Sequence, residues 1–581
     1  MRSALAAVLA LFLSMPAWTG DDDVADFTLS DADGRKWTLS GHKGVVVLVW
    51  MGVECPMVTR YAPRLADLSK KFPDAAFAGV NSNALETPEA IARHAKDLSL
   101  PFPVLVDADA KVAEALKVTM TPTAIVIDAA RKVRYRGLID DHKSEDLVKK
   151  RYLRDAIEAA LAGKDAPVAE TEPAGCAVRR TVEEKSSEVT YASHVAAILN
   201  DRCVTCHRPG QVAPFSLIGY EQSRRWAREN VRHAKAGNMP PWRPVNHGTF
   251  RDERVLTADE IAILATWADA GAPRGDAAKE PAPPKFPEGW TLGEPDLVLE
   301  APEHELGPDG ADEYRCMVLP TNLAEDRWIS AVEMRPGNYR IVHHIIGYVD
   351  TSGMAEKLDA QDARPGYRSN GTGPGFIPAG EMSGWAPGNF PYALPDGVGR
   401  LLKKGARIVL EMHYHRNGRA EKDRTRIGLH FAKKPVKQRL QWLEMVNFQF
   451  RLKAGNEAQR VTARHTVRAD ITARSVTPHM HLLGRTAKLE ATFPDGTKKT
   501  LIEIAAWDFN WQDTYHFKEP LKLPKGTKLL YEAVYDNSEK NPNNPRNPPR
   551  DVTWGEETTD EMCIAFLSYT RDGESIGDEE K

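Results

Sequence analysis

Cysteine, net charge and long apolar runs are all in short supply in this sequence. Six cysteines in 581 residues are too few for a scaffold built on disulfides. A net charge of −4 argues against a nucleic-acid or anionic-membrane partner. Beyond residue 20, no stretch is apolar enough to span a bilayer. What remains is a chain long enough for about four globular domains.

The N-terminus carries a short apolar run with the form of a secretory signal. Arg2 supplies a positive charge, residues 4–15 are mostly apolar, and small residues follow before Asp21. The run is too short for a stable membrane span. We therefore expect residues 1–20 to be a signal peptide and the mature protein to be exported, either to a periplasm or to the outside.

A buried strand and a cysteine at a helix start mark the region from residue 24 to residue 163. Residues 45–50 (VVVLVW) are a continuous apolar run, typical of a parallel strand buried on both faces. Cys55 precedes Pro56, and proline is favoured at the first helical position. Cys55 is therefore expected at a helix N-terminus, where the helix dipole stabilises a thiolate. Thr121-Pro122-Thr123 precedes a second apolar strand.

This arrangement resembles the redoxin branch of the thioredoxin superfamily. The resemblance implies an α/β thioredoxin-like fold with a cis peptide at Pro122, facing Cys55. A thioredoxin would have a second cysteine where Val58 stands. A peroxiredoxin would have threonine and proline where this chain has Gly52 and Leu48, so the resemblance does not imply peroxidase activity.

Residues 164–190 are expected to form a linker, because residues 164–175 are rich in proline, alanine and acidic residues. Cys176 lies in this segment and could return to Cys55 as a resolving thiol. The alternative is that Cys55 is a half-buried thiol without redox function and that Cys176 is incidental.

Residues 203–207 (CVTCH) have the spacing of a c-type haem attachment site. Cys203 and Cys206 would form thioethers with the haem, and His207 would be the proximal iron ligand. Half of a zinc site is one alternative, but the sequence has no second Cys-x-x-Cys pair to complete it. A thioredoxin-type redox pair is another, but the motif follows a helical pattern rather than a buried strand.

Helical patterns on both sides of this motif make residues 191–274 similar to a small all-α cytochrome c. Thr257 and Glu260 form a capping box at the start of the closing helix. The family requires a distal iron ligand on a loop, and Met239, which precedes two prolines, is our candidate. His233 is the alternative ligand. The expected cofactor is one covalent haem c.

Beyond a proline-rich linker at residues 275–289, the pattern changes to short strands. Residues 426–431 and 488–493 alternate between apolar and polar side chains, and residues 494–496 (PDG) supply a hairpin turn. This pattern is typical of an antiparallel β-sandwich.

Four clusters of metal-binding residue types lie in this β region. They are His343-His344, His413-Tyr414-His415, His479-Met480-His481 and Asp560-Glu561-Met562-Cys563. On a strand, residues i and i+2 point to the same side, so His479 and His481 can bind one metal together. Three imidazoles suit copper, and two imidazoles with a thioether suit a copper that must reach Cu(I). A single cluster is more often structural, but four in one region favour metal binding.

Together these clusters resemble the copper type II, ascorbate-dependent monooxygenases, which include peptidylglycine α-hydroxylating and dopamine β-monooxygenases. The resemblance implies two all-β sandwich subdomains, residues 290–435 and 436–575, with one copper on each. The implied ligands are His343, His344 and His413 for the electron-transfer copper, and His479, His481 and Met562 for the copper at which O2 reacts. His415 matches a family position that is not a ligand. Residues 385–388 (WAPG) look like the dopamine-hydroxylase branch.

Departures from the family concern the substrate. The peptide-amidating members use Arg, Asn and Tyr at positions where this chain has Thr477, Ile564 and Phe566. We therefore expect an apolar pocket and a substrate other than a peptide carboxylate. The family's many disulfides are also missing, since only Cys316 and Cys563 lie in this region.

The modules together predict an exported oxidoreductase made of a redoxin, a cytochrome c and a dicopper monooxygenase. The resemblance implies hydroxylation of a C–H bond of a small or apolar substrate with O2. A tethered haem would replace soluble ascorbate as the electron source, acting through a high effective concentration. Two alternatives remain: a non-catalytic copper-binding electron-relay protein, and a thiol oxidoreductase centred on the redoxin domain.

Overall fold

The computed structural model describes residues 23–576, apart from 144, 146–147, 181–182, 309–311, 370–372, 418 and 556. The chain divides into two compact units, residues 1–182 and 183–581. The expected signal peptide lies outside the described residues. In the described part of the chain, no helix is both long enough and apolar enough to cross a membrane.

The N-terminal unit is built on a seven-stranded sheet with the order β2-β1-β5-β4-β3-β7-β8, and the short pair β6–β9 lies outside it. The strands are β1 (Thr28–Asp31), β2 (Lys36–Thr38), β3 (Val45–Trp50), β4 (Ala75–Asn81), β5 (Val104–Val106), β6 (Met120–Thr121), β7 (Thr123–Ile127), β8 (Val133–Gly137) and β9 (Cys176–Ala177). The helices are α1 (Pro56–Lys71), α2 (Pro88–Asp97), α3 (Lys111–Ala115) and α4 (Tyr152–Leu161).

Strand β3 explains why this unit folds as three layers. All six of its residues are buried, as the apolar run predicted. Val47 and Val49 belong to the core under α1 and α4, whereas Val46 and Leu48 belong to the core on the opposite face. The strand pairs in parallel with β4 and antiparallel with β7. The start of α1 and its preceding cysteine therefore lie at the carboxyl edge of β3.

The segment predicted to be a linker is partly bound to this sheet. The N–H of Arg136 donates to the carbonyl of Ala169, and the N–H of Thr171 donates to the carbonyl of Arg136. Further along, β9 pairs antiparallel with β6. The expectation of a linker over residues 164–190 is therefore wrong for residues 169–177, because this polar segment forms backbone hydrogen bonds with Arg136 on β8 and with β6.

The second unit begins with helices around residues 191–269. A π-helical turn (Tyr191–Val195) leads into α5 (Ala196–Arg202), and α6 (Tyr220–Arg225), α7 (Ala227–Lys235) and α8 (Ala258–Asp269) follow. The predicted capping box is present at the start of α8, between Thr257 and Glu260. Trp267 is fully buried against Tyr191, with ring centroids 6.0 Å apart. Two of these helices, α6 and α7, lie between the Cys-x-x-Cys-His motif and α8.

Residues 242–254 depart from the separate helical domain that we expected over residues 191–274. Phe250 lies in the core of the C-terminal β-sandwich, 5.5 Å from the ring of Phe517. The N–H of Val245 donates to the carbonyl of Glu503 at 2.8 Å. The segment between α7 and α8 therefore joins the hydrophobic core of the sandwich, and the domain boundaries drawn from sequence separate segments that fold together.

The first β-sandwich packs two five-stranded sheets, with orders β10-β20-β13-β17-β21 and β15-β12-β18-β14-β16. Its elements are β10 (Leu297–Glu300), β11 (His304–Leu306), β12 (Glu313–Pro320), β13 (Arg327–Arg335), β14 (Val342–Asp350), α9 (Met354–Asp359), β15 (Tyr367–Arg368), β16 (Gly380–Trp385), β17 (Val398–Leu402), β18 (Arg407–Tyr414), β19 (Glu421–Asp423), β20 (Arg426–Phe431) and β21 (Gln438–Arg439). Because β21 pairs with β17, this sandwich extends a few residues beyond the predicted boundary at residue 435.

The second sandwich packs two four-stranded sheets, with orders β22-β31-β25-β28 and β24-β29-β26-β27. Its strands are β22 (Gln441–Val446), β23 (Arg451–Leu452), β24 (Gln459–Thr466), β25 (Ile471–His479), β26 (Gly484–Thr492), β27 (Lys498–Ile504), β28 (Tyr515–Leu523), β29 (Lys528–Tyr535), β30 (Val552–Thr553) and β31 (Ile564–Arg571). The predicted hairpin at residues 494–496 connects β26 and β27. Its glycine, Gly496, has a φ of +87°, which a non-glycine residue rarely adopts.

Candidate metal centre and thiol site

The first histidine cluster lies on two neighbouring strands of the first sandwich. His343 and His344 are on β14, His413 is on β18, and the pairing register places His344 opposite His413. The register shifts by one residue between Val342 and His344, which leaves His343 as an extra residue on β14. Such a bulge redirects side chains. It explains how two consecutive histidines, which a regular strand would send to opposite faces, reach one site.

The three imidazoles of this cluster are close enough to share a metal. Their ligand atoms all lie within 4.8 Å of one another. The Nδ1 atoms of His343 and His344 are 3.2 Å apart, near the spacing of about 3 Å expected for neighbouring ligands with metal–nitrogen bonds of about 2.0 Å. Burial holds the pKa of His344 well below its ordinary value, so this imidazole is neutral and able to ligate.

Asp312 fixes the orientation of His413. Its carboxylate accepts hydrogen bonds from Nε2 of His413 at 2.8 Å and from Nδ1 of His415 at 2.9 Å. Burial alone would raise the pKa of Asp312, but the two histidine hydrogen bonds outweigh it and hold the pKa well below its usual range. Because a carboxylate can only accept, Nε2 of His413 carries a proton, which makes Nδ1 the atom that can bind a metal.

The donor set of this cluster fits copper. His413 is 1% exposed, and no donor or acceptor among the described residues reaches its Nδ1 atom. A buried nitrogen lone pair without a partner is costly unless a cation binds it. Three imidazoles suit copper, so His343, His344 and His413 would hold one ion. His415 is turned to Asp312, and its exclusion from the ligand set stays a prediction.

The second cluster forms where β25 ends and β31 begins. His479 is the last residue of β25 and lies opposite Ile564, the first residue of β31. Two positions on, the ring of His481 is 5.2 Å from that of His479. Met562 lies just before β31 and is 9% exposed. The i, i+2 spacing therefore brings both rings to the same strand end as the thioether, as the sequence predicted.

Hydrogen bonds select the nitrogen that each of these histidines presents. Nδ1 of His481 donates to the carbonyl of Asp560 at 3.2 Å, and Nδ1 of His479 donates to Oε1 of Gln512. Both Nε2 atoms are therefore left with lone pairs. Burial lowers the pKa of His479 to about 4 and that of His481 to about 3, which keeps both rings neutral. Two neutral imidazoles and a thioether fit a copper ion that cycles to Cu(I).

Glu561 holds the two parts of the second cluster together. Its buried carboxylate accepts the backbone N–H groups of His481 at 2.9 Å, Leu483 at 2.6 Å and Met562 at 3.2 Å. Burial raises the pKa of Glu561 to about 8. Because one side chain binds the loop after β25 and the residue before β31, it sets the spacing between His481 and Met562.

One cavity of about 830 Å³ joins the two clusters and also reaches the Cys-x-x-Cys-His motif. Its lining includes Cys206, His343, His344, His479, His481 and Met562. The ring of Phe509 lies between the clusters, 5.9 Å from the ring of His343 and 6.0 Å from the ring of His481. A single aromatic side chain therefore contacts a candidate ligand of each site.

The cavity wall is less apolar than the sequence predicted. Ile564 and Phe566 line it, and Phe566 stacks on Trp442 with ring centroids 6.0 Å apart, which is the apolar wall that we expected. Glu381 and Arg400 line it as well. Burial raises the pKa of Glu381 to about 7 and lowers that of Arg400. The expectation of an apolar pocket is correct for one wall only, because β16 and β17 of the other sandwich contribute charged groups.

The Cys-x-x-Cys-His motif begins where α5 ends, as predicted, with Cys203 directly after the helix. Nδ1 of His207 donates to the carbonyl of Phe215 at 3.3 Å, which leaves Nε2 for an iron ion. Phe215 stacks on Trp226 at 3.7 Å between centroids. Burial lowers the pKa of His207 to about 4. These features fit a proximal haem ligand.

The candidate distal ligands both lie at the end of α7. Met239 is on the turn after this helix and is 37% exposed. The ring of His233 lies 3.7 Å from the carboxylate of Glu229 and 3.0 Å from the guanidinium of Arg232. Neither arrangement decides the distal ligand, and Met239 stays a prediction.

The thiol site of the N-terminal unit lies at the start of α1. Cys55 occupies the position before the helix, as predicted, and its Sγ atom is 3.0 Å from Sγ of Cys176. The Thr121–Pro122 peptide is cis, and the carbonyl of Thr121 lies 3.4 Å from Sγ of Cys55. A Cβ atom at Gly52 would lie 2.7 Å from the amide nitrogen of Asn83, so a peroxiredoxin-like threonine there would require the Asn83 side chain to move.

The other cysteines of the described chain are thiols without a disulfide. Cys316 and Cys563 lie on different sandwiches, and burial raises the pKa of each to about 12. Burial likewise raises the pKa of Cys203 to about 12. Cys55 differs: its hydrogen bond with Cys176 lowers its pKa to about 6, against burial, which raises it.

Comparison with known proteins separates the two units. A model of the AhpC/TSA family matches residues 21–136. The thiol-disulfide oxidoreductase ResA of Bacillus subtilis strain 168 is 30% identical over 125 residues, which are 21% of this chain and 70% of that protein. The ResA protein of Bacillus cereus is 29% identical over 126 residues, 22% of this chain and 72% of that protein. Over its N-terminal unit, the chain belongs to the redoxins.

The C-terminal region matches a second family. A model of the copper type II ascorbate-dependent monooxygenase C-terminal domain matches residues 449–576, the second sandwich with His479, His481 and Met562. Among solved structures compared with the whole chain rather than with this region, a hypothetical protein from Sinorhizobium meliloti 1021 is 28% identical, covers 29% of this chain and 97% of its own, and has a TM-score of 0.27. By the two family matches, the chain carries a redoxin domain and a copper monooxygenase C-terminal domain.

Several functional residues of the monooxygenase region escaped the sequence analysis. Asp312 and Phe509 act through contacts with residues about 100 and 170 positions away, which no local pattern reveals. Glu561 stood in a cluster that we singled out, but a buried carboxylate that binds backbone N–H groups has no sequence signature. The bulge at His343 is likewise invisible in the pattern of a strand.

Proposed function

We propose that this chain is an exported copper-dependent monooxygenase that hydroxylates a C–H bond of a small substrate with O2. A c-type haem attached at Cys203 and Cys206 supplies the electrons, and the redoxin domain is accessory. One observation carries the proposal: a single cavity is lined by Cys206 and by candidate ligands of both histidine clusters. In this arrangement the substrate, the electron source and both metal sites share one cavity.

The residues of the two clusters have distinct tasks in this function. Bound copper would supply one-electron exchange with O2 at the site of His479, His481 and Met562 and electron storage at the other. Burial keeps His479 and His481 neutral. The hydrogen bonds of Asp312, Gln512 and the Asp560 carbonyl fix which ring nitrogen each histidine presents. The apolar wall of Ile564 and Phe566 keeps water from the substrate carbon next to Met562.

The cavity end near Cys206 suits an anionic cofactor. Bound haem c would supply single electrons, with its iron on Nε2 of His207. Arg208 and Arg335 line the same end, and each lies on an aromatic ring, Phe286 at 3.9 Å and Trp290 at 5.4 Å respectively. Two neighbouring cations in a partly buried wall favour carboxylates such as haem propionates.

The first experiment measures O2 uptake by the full chain loaded with copper and haem, with a chemical reductant. The wild type is expected to consume O2, and His479→Ala is expected to abolish uptake. His465→Ala is the matched control, since His465 lies on β24 in the other sheet of the same sandwich. An inactive wild type with two coppers bound would favour the electron-relay alternative.

The second experiment tests the haem. After acid–acetone extraction, haem should stay with the wild type and be lost from the Cys203→Ala, Cys206→Ala double variant. Pre-reduced haem should reoxidise against oxidised copper at a rate independent of protein concentration. His343→Ala should slow this step, and Met562→Ala should affect it much less. Haem that stays reduced beside intact, oxidised copper would show that it serves another partner.

Export has its own test. Expression in a bacterial host followed by mass spectrometry of the N-terminal peptide should give a mature protein that begins close to residue 21. A chain that keeps residues 1–20 in the cytoplasm would contradict the assignment.

A further inference from the structure

Two thiols that are 121 positions apart meet in the redoxin domain. Cys55 lies at the start of α1, and Cys176 lies on β9, directly opposite Thr121 in the pairing of β9 with β6. The two Sγ atoms are 3.0 Å apart. A disulfide requires about 2.05 Å, so a movement of roughly 1 Å would join them. Val58 stands where a thioredoxin has its second cysteine, and Cys176 supplies the missing sulfur from elsewhere in the chain.

The segment that carries Cys176, residues 175–180, is fastened to the domain and is called the strap below. The N–H of Val178 donates to the carbonyl of Thr119 at 2.8 Å, and the N–H of Arg179 donates to Oδ1 of Asn83 at 2.8 Å. The Arg179 guanidinium forms ion pairs with Glu54, at 3.1 Å, and with Glu86. The position of Cys176 beside Cys55 is therefore built by several independent contacts.

Gly175 makes the entry of the strap possible. Its φ is +138°, a conformation that L side chains rarely adopt. A Cβ atom there would lie 2.1 Å from the carbonyl oxygen of Thr121. The backbone of the strap therefore lies so close to β6 that only glycine fits at position 175.

The two sulfurs differ in access and in acidity. Cys55 is 2% exposed, whereas Cys176 is partly exposed. The hydrogen bond between Cys55 and Cys176 lowers the pKa of Cys55 to about 6, despite burial. A thiol with a low pKa is a good leaving group in thiol–disulfide exchange. A reagent from solution therefore meets Cys176 first, with Cys55 behind it as the group that leaves.

We propose that Cys55 and Cys176 form a reversible dithiol–disulfide couple in which Cys176 exchanges with a low-molecular-weight thiol and Cys55 is the buried partner. To reduce the couple, an external thiolate attacks Sγ of Cys176; an S–S bond to Cys176 forms, the bond to Cys55 breaks, and Cys55 leaves as a thiolate. A second external thiolate then attacks the external sulfur of this mixed disulfide and releases Cys176. Two electrons pass to the protein, and two external thiols become one disulfide.

The first test equilibrates the full chain in glutathione buffers of graded potential, followed by alkylation and peptide mapping. The couple predicts one two-electron transition and a cross-linked peptide that contains Cys55 and Cys176. Copper binding should not change across this transition, because the metal ligands lie in the other unit. Free alkylation of both thiols at every potential would overturn the proposal.

The second test assigns the roles by trapping the mixed disulfide with glutathione disulfide at pH 7. Cys55→Ser leaves Cys176, and Cys176→Ser leaves Cys55. Acidity alone would make Cys55 the faster thiol, but burial predicts the reverse order, with Cys176 reacting roughly tenfold faster or more. A faster adduct on Cys55 would refute the assignment of Cys176 as the exchanging thiol.

A third measurement asks whether the strap stabilises the disulfide. Gly175→Val should displace the strap and lower the equilibrium constant for disulfide formation at least about tenfold, which is about 30 mV. Gly163→Val is the matched control, because Gly163 also has a positive φ of +66° but has open space around its Cβ position. Equal potentials in the two variants would show that the strap does not hold Cys176, against the proposal. The serine variants keep the proposal testable if Gly175→Val fails to fold.

Discussion

The two metal-ligand clusters of the second unit each bring three candidate ligands together, but they do so with different local structure. The three-histidine cluster lies within paired strands, and a bulge turns His343 and His344 to one side. The cluster of His479, His481 and Met562 lies at strand ends, where β25 stops and β31 starts. The first site is therefore set by strand pairing and the second by a loop.

The carboxylates behind the clusters show the same contrast. Asp312 binds imidazole nitrogens and so orients ligand side chains directly. Glu561 binds backbone N–H groups and so positions the segments that carry the ligands. The difference teaches that one site depends on a side-chain contact for its affinity, whereas the other depends on the local fold. Four predictions test this distinction.

The largest effect is expected from removal of a ligand. His413→Ala and His479→Ala should each lower the copper content from two ions per chain to one, because the clusters use separate ligand sets. Metal analysis of the purified full chain measures the content directly, with His465→Ala as the control that keeps two. Loss of both ions in either variant would mean that the clusters form one coupled site rather than two. One zinc and no copper in protein produced with copper would overturn the metal assignment.

Glu561→Ala should have the next largest effect, on stability. It leaves three buried N–H groups without an acceptor, at a cost of about 3 kcal/mol or more in the free energy of unfolding. Copper binding at His479 and His481 should weaken at the same time. Chemical denaturation of the metal-free chain measures the first effect, and Glu539→Ala, at an exposed position of the same sandwich, is the control. Unchanged stability would show that Glu561 does not hold the loop.

Asp312→Ala should weaken metal binding and should lower stability less than Glu561→Ala, because it leaves one N–H group of the buried His413 without an acceptor rather than three backbone N–H groups. Removal of a carboxylate that orients a metal-ligating histidine typically costs 10–100-fold in affinity. Competition with a chelator for copper at the three-histidine site measures this loss, while the other site should keep its affinity. Asp396→Ala removes a surface carboxylate that pairs only with Lys434 among the described contacts and should change neither. A large loss of stability in Asp312→Ala would erase the contrast with Glu561.

The contrast also explains how much the sequence could predict. His479 and His481 follow the two-residue period of a strand, and their convergence is confirmed by the rings, 5.2 Å apart. His343 and His344 break that period, and only a bulge, which has no clear sequence signal, brings them together. The period of apolar residues identifies strands, but it does not show where a β-bulge inserts an extra residue into one of two paired strands.

Long-range contacts account for the other differences. Residues 242–254 looked like part of a separate haem domain, because nothing in their composition shows that Phe250 enters a β-sandwich core. Residues 169–177 looked like a linker, because their composition is polar and their hydrogen bonds to the sheet are made by backbone atoms. The helix starts at Pro56 and Thr257 were predictable, since caps and prolines act locally.

The smallest effect is expected from Met562→Leu. Its backbone is held by Glu561 and by the hydroxyl of Tyr535, which donates to the Met562 carbonyl at 2.6 Å, so a side chain of similar volume should leave the fold intact. Loss of the thioether should weaken Cu(I) at this site and change Cu(II) much less, because the two imidazoles remain. Titration with a Cu(I)-specific chromophoric chelator measures the difference. Met445→Leu, buried in the core of the same sandwich, is the matched control. If both variants bind Cu(I) as tightly as the wild type, the second cluster has no sulfur ligand, and the two sites differ only in how the chain positions their histidines.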